Sequence, residues 1–512
     1  MKNIDFAKHC FLMVGNKGLT ANSVIQYLHY KNVTADRLVT VDSHHNLNQG
    51  YVDYADVIVL SPAVPPNIFL LNQAKIDGKL VVSDIELFAR ELKSIAKDHD
   101  IKTIGITGSN GKTTCAELTA YFGLALGFNT ALIGNIGVPV LDFFLECVQT
   151  QNWPEIIVLE LSSFQLESTQ NLSLTIATVL NIAADHLDRG LADNNYGYSM
   201  LEYASIKANI FKQAQTSLLN LDDIRVRDMY KIGKSTIWFS NNSSDYGNWQ
   251  EDIYSYDYSS NQIIIYQSQP AKSTKIIKTG ICLSPNSLFG QHNISNILVA
   301  ITLLCNIGDP KLSNLINNID LINTAVKQFP PLPHRINIYQ AVNCSSNSNV
   351  GKNLFFINDS KATNIAASRI ALEACAHYFG FHKNQNACHF IVGGDSKQQD
   401  LHQLSLLCSQ YVDMISSISI IGSDRLRIFS FLQQATKLKA VNIRCFVNLA
   451  DAVEYIISLL KANRQLKTAT VLLSPACSSL DQYHSYVERG DDFVHLIKKY
   501  YSLSLVRGEN VS

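Results

Sequence analysis

"TIGITGSNGKTT", Thr103–Thr114, runs from an apolar stretch into a glycine-flanked polar turn and then into a lysine and two threonines. The apolar part reads as a buried strand, and the residues from Lys112 onward read as a helix. Glycine reaches φ > 0 at little steric cost, so backbone N–H groups around Gly108, Ser109, Asn110 and Gly111 can turn inward. The start of a helix adds unpaired N–H groups and a partial positive charge. Lys112 supplies a full charge, Thr113 a hydroxyl suited to a metal ion, and Thr114 continues the motif. Together these groups make a phosphate cradle. Ile106 stands where the standard phosphate loop has its first glycine, while the "GKTT" half is intact. A plain strand-to-helix turn is the competing reading, and the order strand, loop, helix favours nucleotide phosphate.

Polar residues follow the next apolar runs. In "IIVLELSSFQLE", Glu160 ends a strand, where a carboxylate can ligate Mg²⁺, a hard ion that prefers oxygen. Its plain alternative is a solvated strand-end glutamate. "NIAADHLDRG" places Asp185, His186 and Asp188 beyond another strand, and a neutral His186 can bind a metal. "LEYASIKANIF" reads as a helix. From spacing alone its Lys207 is a snorkelling surface lysine.

Outward from this centre the chain alternates apolar runs with helical segments, the pattern of parallel sheets covered by helices. "CFLMVG", "RLVTVD", "DVIVLSPA" and "KLVVSD" are strand candidates of a first region, with Thr20 or Asn22 able to cap the helix after the first. Gly15 and Gly18 are too sparse for a dinucleotide fingerprint. A second region begins near residue 100, with strands "TIGITG", "NTALIGN", "EIIVLELS" and "ATVLNI". The Asn-, Ser- and Tyr-rich stretch Trp238–Gln269 reads as a loop or hairpin excursion, and "SSNSNVGK" (Ser345–Lys352) as a disordered hairpin tip. "QFPPLPHRINIY" resists helix and makes a linker or domain edge. Beyond it, "LFFINDSKATN", "HFIVGGDSK", "ISSISIIGSD" and "ATVLLSPACSS" are strands that end in polar clusters, where open parallel sheets gather their ligands.

Composition sets the limits. The 512 residues call for two to four domains. With 17% charged residues and a net charge of -1, no broad basic surface for nucleic acid is expected. Eleven cysteines without a CxxC pair point to reduced thiols in a cytosol. The N-terminus lacks a signal peptide's features, and no run approaches the roughly 20 apolar residues of a membrane span.

Taken in order, "GITGSNGKTT", "LELSSFQLE", "NIAADHLDR" and "GQHNISNILVA" resemble central-domain motifs of the Mur ligase family, which joins amino acids to the bacterial cell-wall precursor. "LPHR", "NDSKATN", "GGDSK" and "LLSPACSSLDQY...ERGDDF" resemble its C-terminal motifs. With "SDIELFARE", these are most similar to the branch that adds D-glutamate to UDP-N-acetylmuramoyl-L-alanine. The resemblance implies an α/β chain of three domains: a Rossmann-like UDP-binding domain over 1–100, a central P-loop-type ATPase over 101–330, and a Rossmann-like amino-acid-binding domain over 331–512. It also implies a cytoplasmic monomer that takes ATP, Mg²⁺ and two small-molecule substrates, with no nucleic acid or membrane partner.

Carried over residue by residue, Lys112 holds the β/γ-phosphates, with Thr113 and Glu160 on a first Mg²⁺. His186 and a carbamylated Lys207 resemble a second metal site, which displaces the snorkelling reading. Asn293 resembles an adenine contact, against the plain reading of a helix cap. Arg335 and Asp359 resemble phosphate and ribose contacts, against an ion pair between domains. Lys361 and Thr363 resemble residues lining the γ-phosphate and D-glutamate. Lys397, Ser479, Leu480 and Tyr486 resemble the D-glutamate pocket. Gly15, Thr20, Ser43, His44 and Ser61 resemble the UDP cradle, and Asn135 and Ser162 the muramoyl contacts. The sequence departs from the family at "DSHH", at "SPA" in place of "SPG", and at Tyr486 in place of phenylalanine. The stretch from His186 to Lys207 is also longer than usual.

Competing functions are a sister ligase for another amino acid or for folate, a non-catalytic nucleotide-binding regulator, and a small-molecule kinase.

Overall fold

The protein is described by a computed structural model covering residues 3–96, 98–185, 198–231, 234–242, 251–268, 274–282, 291–310, 318–342, 353–379, 386–397, 399–462 and 468–506. His186 and the tip 345–352 lie outside the described residues. The chain divides into two units, one holding Met1–Ala183, Leu187–Ser284 and Ile294–Val326, the other Ala184–His186, Pro285–Asn293 and Lys327–Ser512.

The first unit contains two sheets. The N-terminal one has strands β1 (Phe11–Val14), β2 (Leu38–Val41), β3 (Val57–Leu60) and β4 (Leu80–Ser83), all parallel in the order β2-β1-β3-β4. Strands covered on both faces read as unbroken apolar runs, as "FLMV" and "VIVL" do. The strand order reverses between β1 and β3, which opens a crevice at their carboxyl ends. The first helix, Leu19–Tyr30, starts from Gly18 at φ 108°, so Thr20 and Asn22 lie inside it and cap nothing.

The larger sheet has nine strands: β5 (Lys102–Thr107), β6 (Thr130–Gly134), β7 (Ile156–Glu160), β8 (Leu174–Val179), β9 (Ala214–Asn220), β10 (Ser235–Ser240), β11 (Ile253–Asp257), β12 (Gln262–Ser268) and β13 (Thr274–Cys282). The order is β13-β12-β11-β10-β9-β8-β5-β7-β6. β5 sits between β7 and β8, so the chain again switches direction beside its carboxyl end. The stretch expected to be a loop or hairpin excursion carries β11 and β12, an antiparallel hairpin that widens this sheet. Four consecutive residues of β11, Ile253, Tyr254, Ser255 and Tyr256, are buried, so both of its faces are covered.

One apolar core joins both sheets. It takes in Tyr27 and Leu28 from the first helix and Leu141 and Phe144 from the helix Val140–Thr150. The helix Asp84–Ile95 is capped by Ser83 Oγ, which accepts from Glu86 N. The Glu86 carboxylate then accepts from the amides of Gln170 (2.8 Å) and Asn171 (3.0 Å), tying this helix to the segment before β8.

The second unit has a seven-stranded sheet: β14 (Asn337–Val342), β15 (Asn353–Asn358), β16 (Asn386–Gly393), β17 (Ile415–Ile421), β18 (Asn442–Cys445), β19 (Thr468–Leu473) and β20 (Ser502–Leu505). The order is β18-β17-β16-β19-β15-β14-β20, parallel from β18 to β15, with β14 antiparallel to both its neighbours. Apolar clusters cover both faces. Among the described residues, no helix is long and apolar enough to cross a membrane.

Candidate active site

The turn after β5 runs from strand to helix as the sequence suggests, but the amides of Ser109 and Asn110, expected to face a phosphate, bond to Asn181. Gly111 sits at φ 82° as the residue before the helix Lys112–Ala125, and a Cβ there would fall 2.7 Å from Asn296 Oδ1. The loop is laced to the segment leaving β8. Ser109 N donates to Asn181 O (2.9 Å) and Asn110 N to Asn181 Oδ1 (2.9 Å), while Asn181 Nδ2 donates to Asn110 O (3.1 Å). Ser109 Oγ donates to Ala183 O (2.9 Å) and accepts from Ala183 N (2.8 Å). The amides of Ser109 and Asn110 therefore hold the loop in shape. Lys112 Nζ curls back onto Gly108 O (2.8 Å) and Ser109 O (3.0 Å). Thr113 and Thr114 lie in the first turn of the helix, with Thr114 buried.

Glu160 ends β7 at 1% exposure. Its Oε1 accepts from Asn135 Nδ2 (3.0 Å), and Asn135 N donates to Glu160 O (2.8 Å). Its Oε2 is buried and has no hydrogen-bond partner among the described residues. Such an oxygen fits a hard cation, which would supply the missing partner. Backbones touch at this point: a Cβ on Gly134, at φ 112°, would lie 2.3 Å from Glu160 O. Ser162 forms a capping box with Gln165, which occupies its hydroxyl.

Lys207 does not snorkel. It is 1% exposed on the inner face of the helix Met200–Lys212. Its Nζ donates to Gly108 O (3.0 Å) and Thr107 Oγ1 (3.4 Å) and lies 4.8 Å from the Tyr203 ring centroid. A surface-type spacing thus conceals a lysine aimed at the loop after β5, because it lies on the buried stripe of Tyr203, Lys207 and Ile210. Asn293 is the third residue of the helix Gln291–Cys305 and is buried, so it is not a cap.

In the N-terminal sheet, Gly15 at φ 83° brings the end of β1 against β3, and a Cβ would meet Ser61 Cβ at 2.8 Å. Ser61 is buried and its amide donates to Val14 O (3.0 Å). Thr20 is half-buried in the first helix. Ser43 precedes the short turn His44–Asn46, in which the His44 and His45 rings lie 4.0 Å apart. Ala63 does not adopt positive φ, so "SPA" carries no backbone strain.

In the second unit the expected residues gather at the ends of β15, β16 and β19. Asp359 is buried and its Oδ2 accepts from Ser474 Oγ (2.7 Å). Burial raises its carboxyl to about 7, against the pull of Ser474, Arg335 and Arg489. His334 (φ 58°) and Ile336 (φ 49°) both take the left-handed region, so Arg335 sits between two strained residues. Lys361 N donates to His334 O (3.1 Å), and its Nζ lies 4.1 Å from the Tyr486 ring centroid, a cation–π contact. Thr363 is half-buried just beyond. Lys397, at φ 48°, has its amide on Asp395 Oδ1 (2.9 Å) and its Nζ 3.7 Å from Asp185. Ser479 is buried, while Leu480 projects outward at 70% exposure.

The sequence reading missed what frames this cluster. Arg489, 1% exposed, donates to Ser360 Oγ (3.1 Å), Ser360 O (2.9 Å), Cys477 O (3.2 Å) and Ser478 O (3.3 Å). It bridges the residue before Lys361 to those before Ser479, from the helix that Tyr486 begins. Burial lowers its guanidinium to about 10, so it stays charged at neutral pH. Asn358 adds a second tie through Nδ2 to Gly490 O (2.8 Å). An arginine inside an otherwise helical pattern near glycine was the available signal.

Two parallel sheets carrying these strand-end clusters have counterparts of known structure. The UDP-N-acetylmuramate-alanine ligase MurC of Thermotoga maritima shares the fold at TM-score 0.51 and 15% identity over 96% of this chain and 100% of that one. MurF of Thermotoga maritima, solved in complex with ADP, does so at TM-score 0.52 and 13% identity over 88% and 91%. Residues 106–304 match the Mur ligase middle domain. A UDP-N-acetylmuramoylalanine--D-glutamate ligase of Buchnera aphidicola is 31% identical over 89% of this chain and 87% of its own length. The enzyme of that name from Escherichia coli K12 is 30% identical over 94% and 96%. The chain belongs to the Mur ligase family.

Proposed function

We propose that this chain is an ATP-dependent ligase that adds D-glutamate to UDP-N-acetylmuramoyl-L-alanine, a step of peptidoglycan precursor synthesis in the cytoplasm. The observation that carries this reading is the likeness, over 94% of the chain, to a relative named for that reaction, with Lys112, Glu160 and Lys361 all present. The alanyl carboxylate attacks the γ-phosphorus of ATP, and ADP leaves with the bond's electron pair. The amine of D-glutamate then attacks the acyl phosphate. The tetrahedral intermediate expels inorganic phosphate, and the amine loses its proton.

Two anions must meet, so charge neutralisation and alignment dominate the catalysis. Lys112 neutralises the β/γ-phosphates from the head of its helix. Glu160 Oε2 and Thr113 would hold Mg²⁺, which supplies positive charge between phosphate oxygens when bound. Lys207, once its ammonium has given up a proton and the amine has added CO₂ and given up a second, would be an anionic oxygen ligand beside the same loop, with His186 as its companion. Asn293, Arg335 and Asp359 position the nucleotide, and Lys361 and Thr363 meet the γ-phosphate. Lys397, Ser479, Leu480 and Tyr486 receive D-glutamate. Gly15, Thr20, Ser43, His44 and Ser61 receive the UDP group, with Asn135 and Ser162 near the muramoyl part. We take the domains as 1–100, 101–330 and 331–512, in a monomer that hinges within 329–335 and takes no nucleic acid or membrane partner.

The test is ADP release with UDP-N-acetylmuramoyl-L-alanine and a panel of amino acids. Turnover with D-glutamate alone is expected. Turnover with another amino acid and not with D-glutamate transfers the chain to a sister ligase. A stable phosphorylated product without amide formation makes it a kinase.

A further inference from the structure

The helix that carries Lys207 has a second face. Residues Leu201, Ala204, Ser205, Ala208, Phe211 and Lys212 form a separate stripe at helical spacing, away from the stripe of Tyr203, Lys207 and Ile210. That stripe is one wall of a cavity of about 430 Å³. The opposite wall is the surface of β9 and β10 around Leu219, closed by Met229. The volume is that of a small-molecule site. Alanines at 204 and 208 leave the space, and Leu201, 83% exposed, stands beside it.

The cavity's charge is one-sided. Lys212, Arg225, Lys231 and Lys234 surround it, with Asp228 as the single acid. Lys234 Nζ donates to Phe211 O (2.7 Å) and Lys212 Nζ to Asn209 Oδ1 (2.7 Å). Arg225 and Lys231 enter no ion pair among the described residues. An apolar interior with a cationic mouth selects an organic anion that has an apolar body.

We propose that this cavity binds a medium-chain carboxylate or an anion of like shape, and that its occupancy is felt at the phosphate loop. The mechanical link is short. Tyr203 OH contacts Ser109 Oγ at 3.3 Å, and Lys207 Nζ donates to Gly108 O, so a ligand that shifts this helix shifts the loop. The binding half stands alone; the coupling half rests on the ligase reading.

Decanoate is the probe, titrated calorimetrically into the full chain, with decanol and acetate as the apolar and charged halves. Saturable decanoate binding is expected. It weakens about 10-fold in Arg225→Ala/Lys231→Ala, the loss of roughly one charge-assisted contact, and vanishes in Ala208→Phe. Unchanged thermal unfolding of both variants excludes misfolding as the cause. The KM for ATP shifts with decanoate in the wild type and not in the double variant. Equal affinity for decanol, unchanged affinity in the double variant, or no saturation up to decanoate's solubility overturns the site. Specific binding with an unmoved KM overturns the coupling. If no amino acid supports turnover, the ligase reading fails while calorimetry still decides the site.

Discussion

The phosphate loop of the first unit and the strand-end cluster of the second are both polar knots beyond parallel strands, and they are finished differently. Around β5 the loop amides are satisfied by Asn181 and the loop carbonyls by Lys112 and Lys207, while one oxygen of a fully buried glutamate has no partner among the described residues. Around β15 and β19 the buried cation is spent: Arg489 reaches four acceptors and locks two loops together. A buried polar atom without a partner costs about 1–3 kcal/mol, so a fold keeps one where a ligand will meet it. On the proposed function the first site is the one that receives ions, and the second is a frame that sets distances between side chains.

The sharpest way to break that contrast is to remove a charge from each. Lys112→Ala is expected to lower turnover about 10³-fold, about 4 kcal/mol of lost transition-state stabilisation, with thermal stability close to wild type. ADP release and a melting curve read both numbers, and a large loss of stability would make Lys112 a structural residue too. Arg489→Ala should do the reverse in kind. It strands Ser360, Cys477 and Ser478 and costs about 4 kcal/mol of stability in urea unfolding. Arg489→Lys should recover part of it.

His389 tests whether the second unit is framed by burial alone. Its ring touches Ser417 Oγ through Nδ1 (2.8 Å), leaves Nε2 buried without a hydrogen-bond partner among the described residues, and is pushed down to about 4 by burial. The unfolded chain takes up this proton near 6.5, the folded one only near 4. The stability from neutral His389 is thus fully present above about pH 6.5 and is lost as pH falls towards 4, about 3 kcal/mol in all. His389→Gln should flatten that part of the urea midpoint's pH profile. A parallel profile in the variant would assign the acid sensitivity elsewhere.

The smallest effect sought is chemical rescue. Lys207→Ala should regain about 10-fold in turnover when acetate is added, as a free carboxylate takes the carbamate's place. No rescue would leave Lys207 as a cation that only braces Gly108 O.

Much of this was legible beforehand. The apolar runs named as strands are strands, and the helix begins at Lys112, because buried parallel strands and glycine-led helix starts write themselves into local composition. Local rules failed where a distant segment intervened. Thr20 is a good cap by type, yet Gly18 holds the helix start. The tyrosine-rich stretch, read as a loop or hairpin, is the hairpin of β11 and β12, and what the sequence did not show is its pairing with the edge of β10. Asn181, whose side chain shapes the phosphate loop, carried no signal as a single asparagine.

Sequence by itself determined the family, the order of the phosphate, carboxylate and lysine motifs, and the strand-and-helix alternation, since each depends on residues within a few positions of one another. Only the tertiary structure decided that Lys207 is buried under the loop, that Glu160 keeps an oxygen with no partner among the described residues, and that Arg489 binds two loops more than 100 residues apart. Burial and hydrogen-bond partners are set by which surfaces pack together, and no local pattern records that.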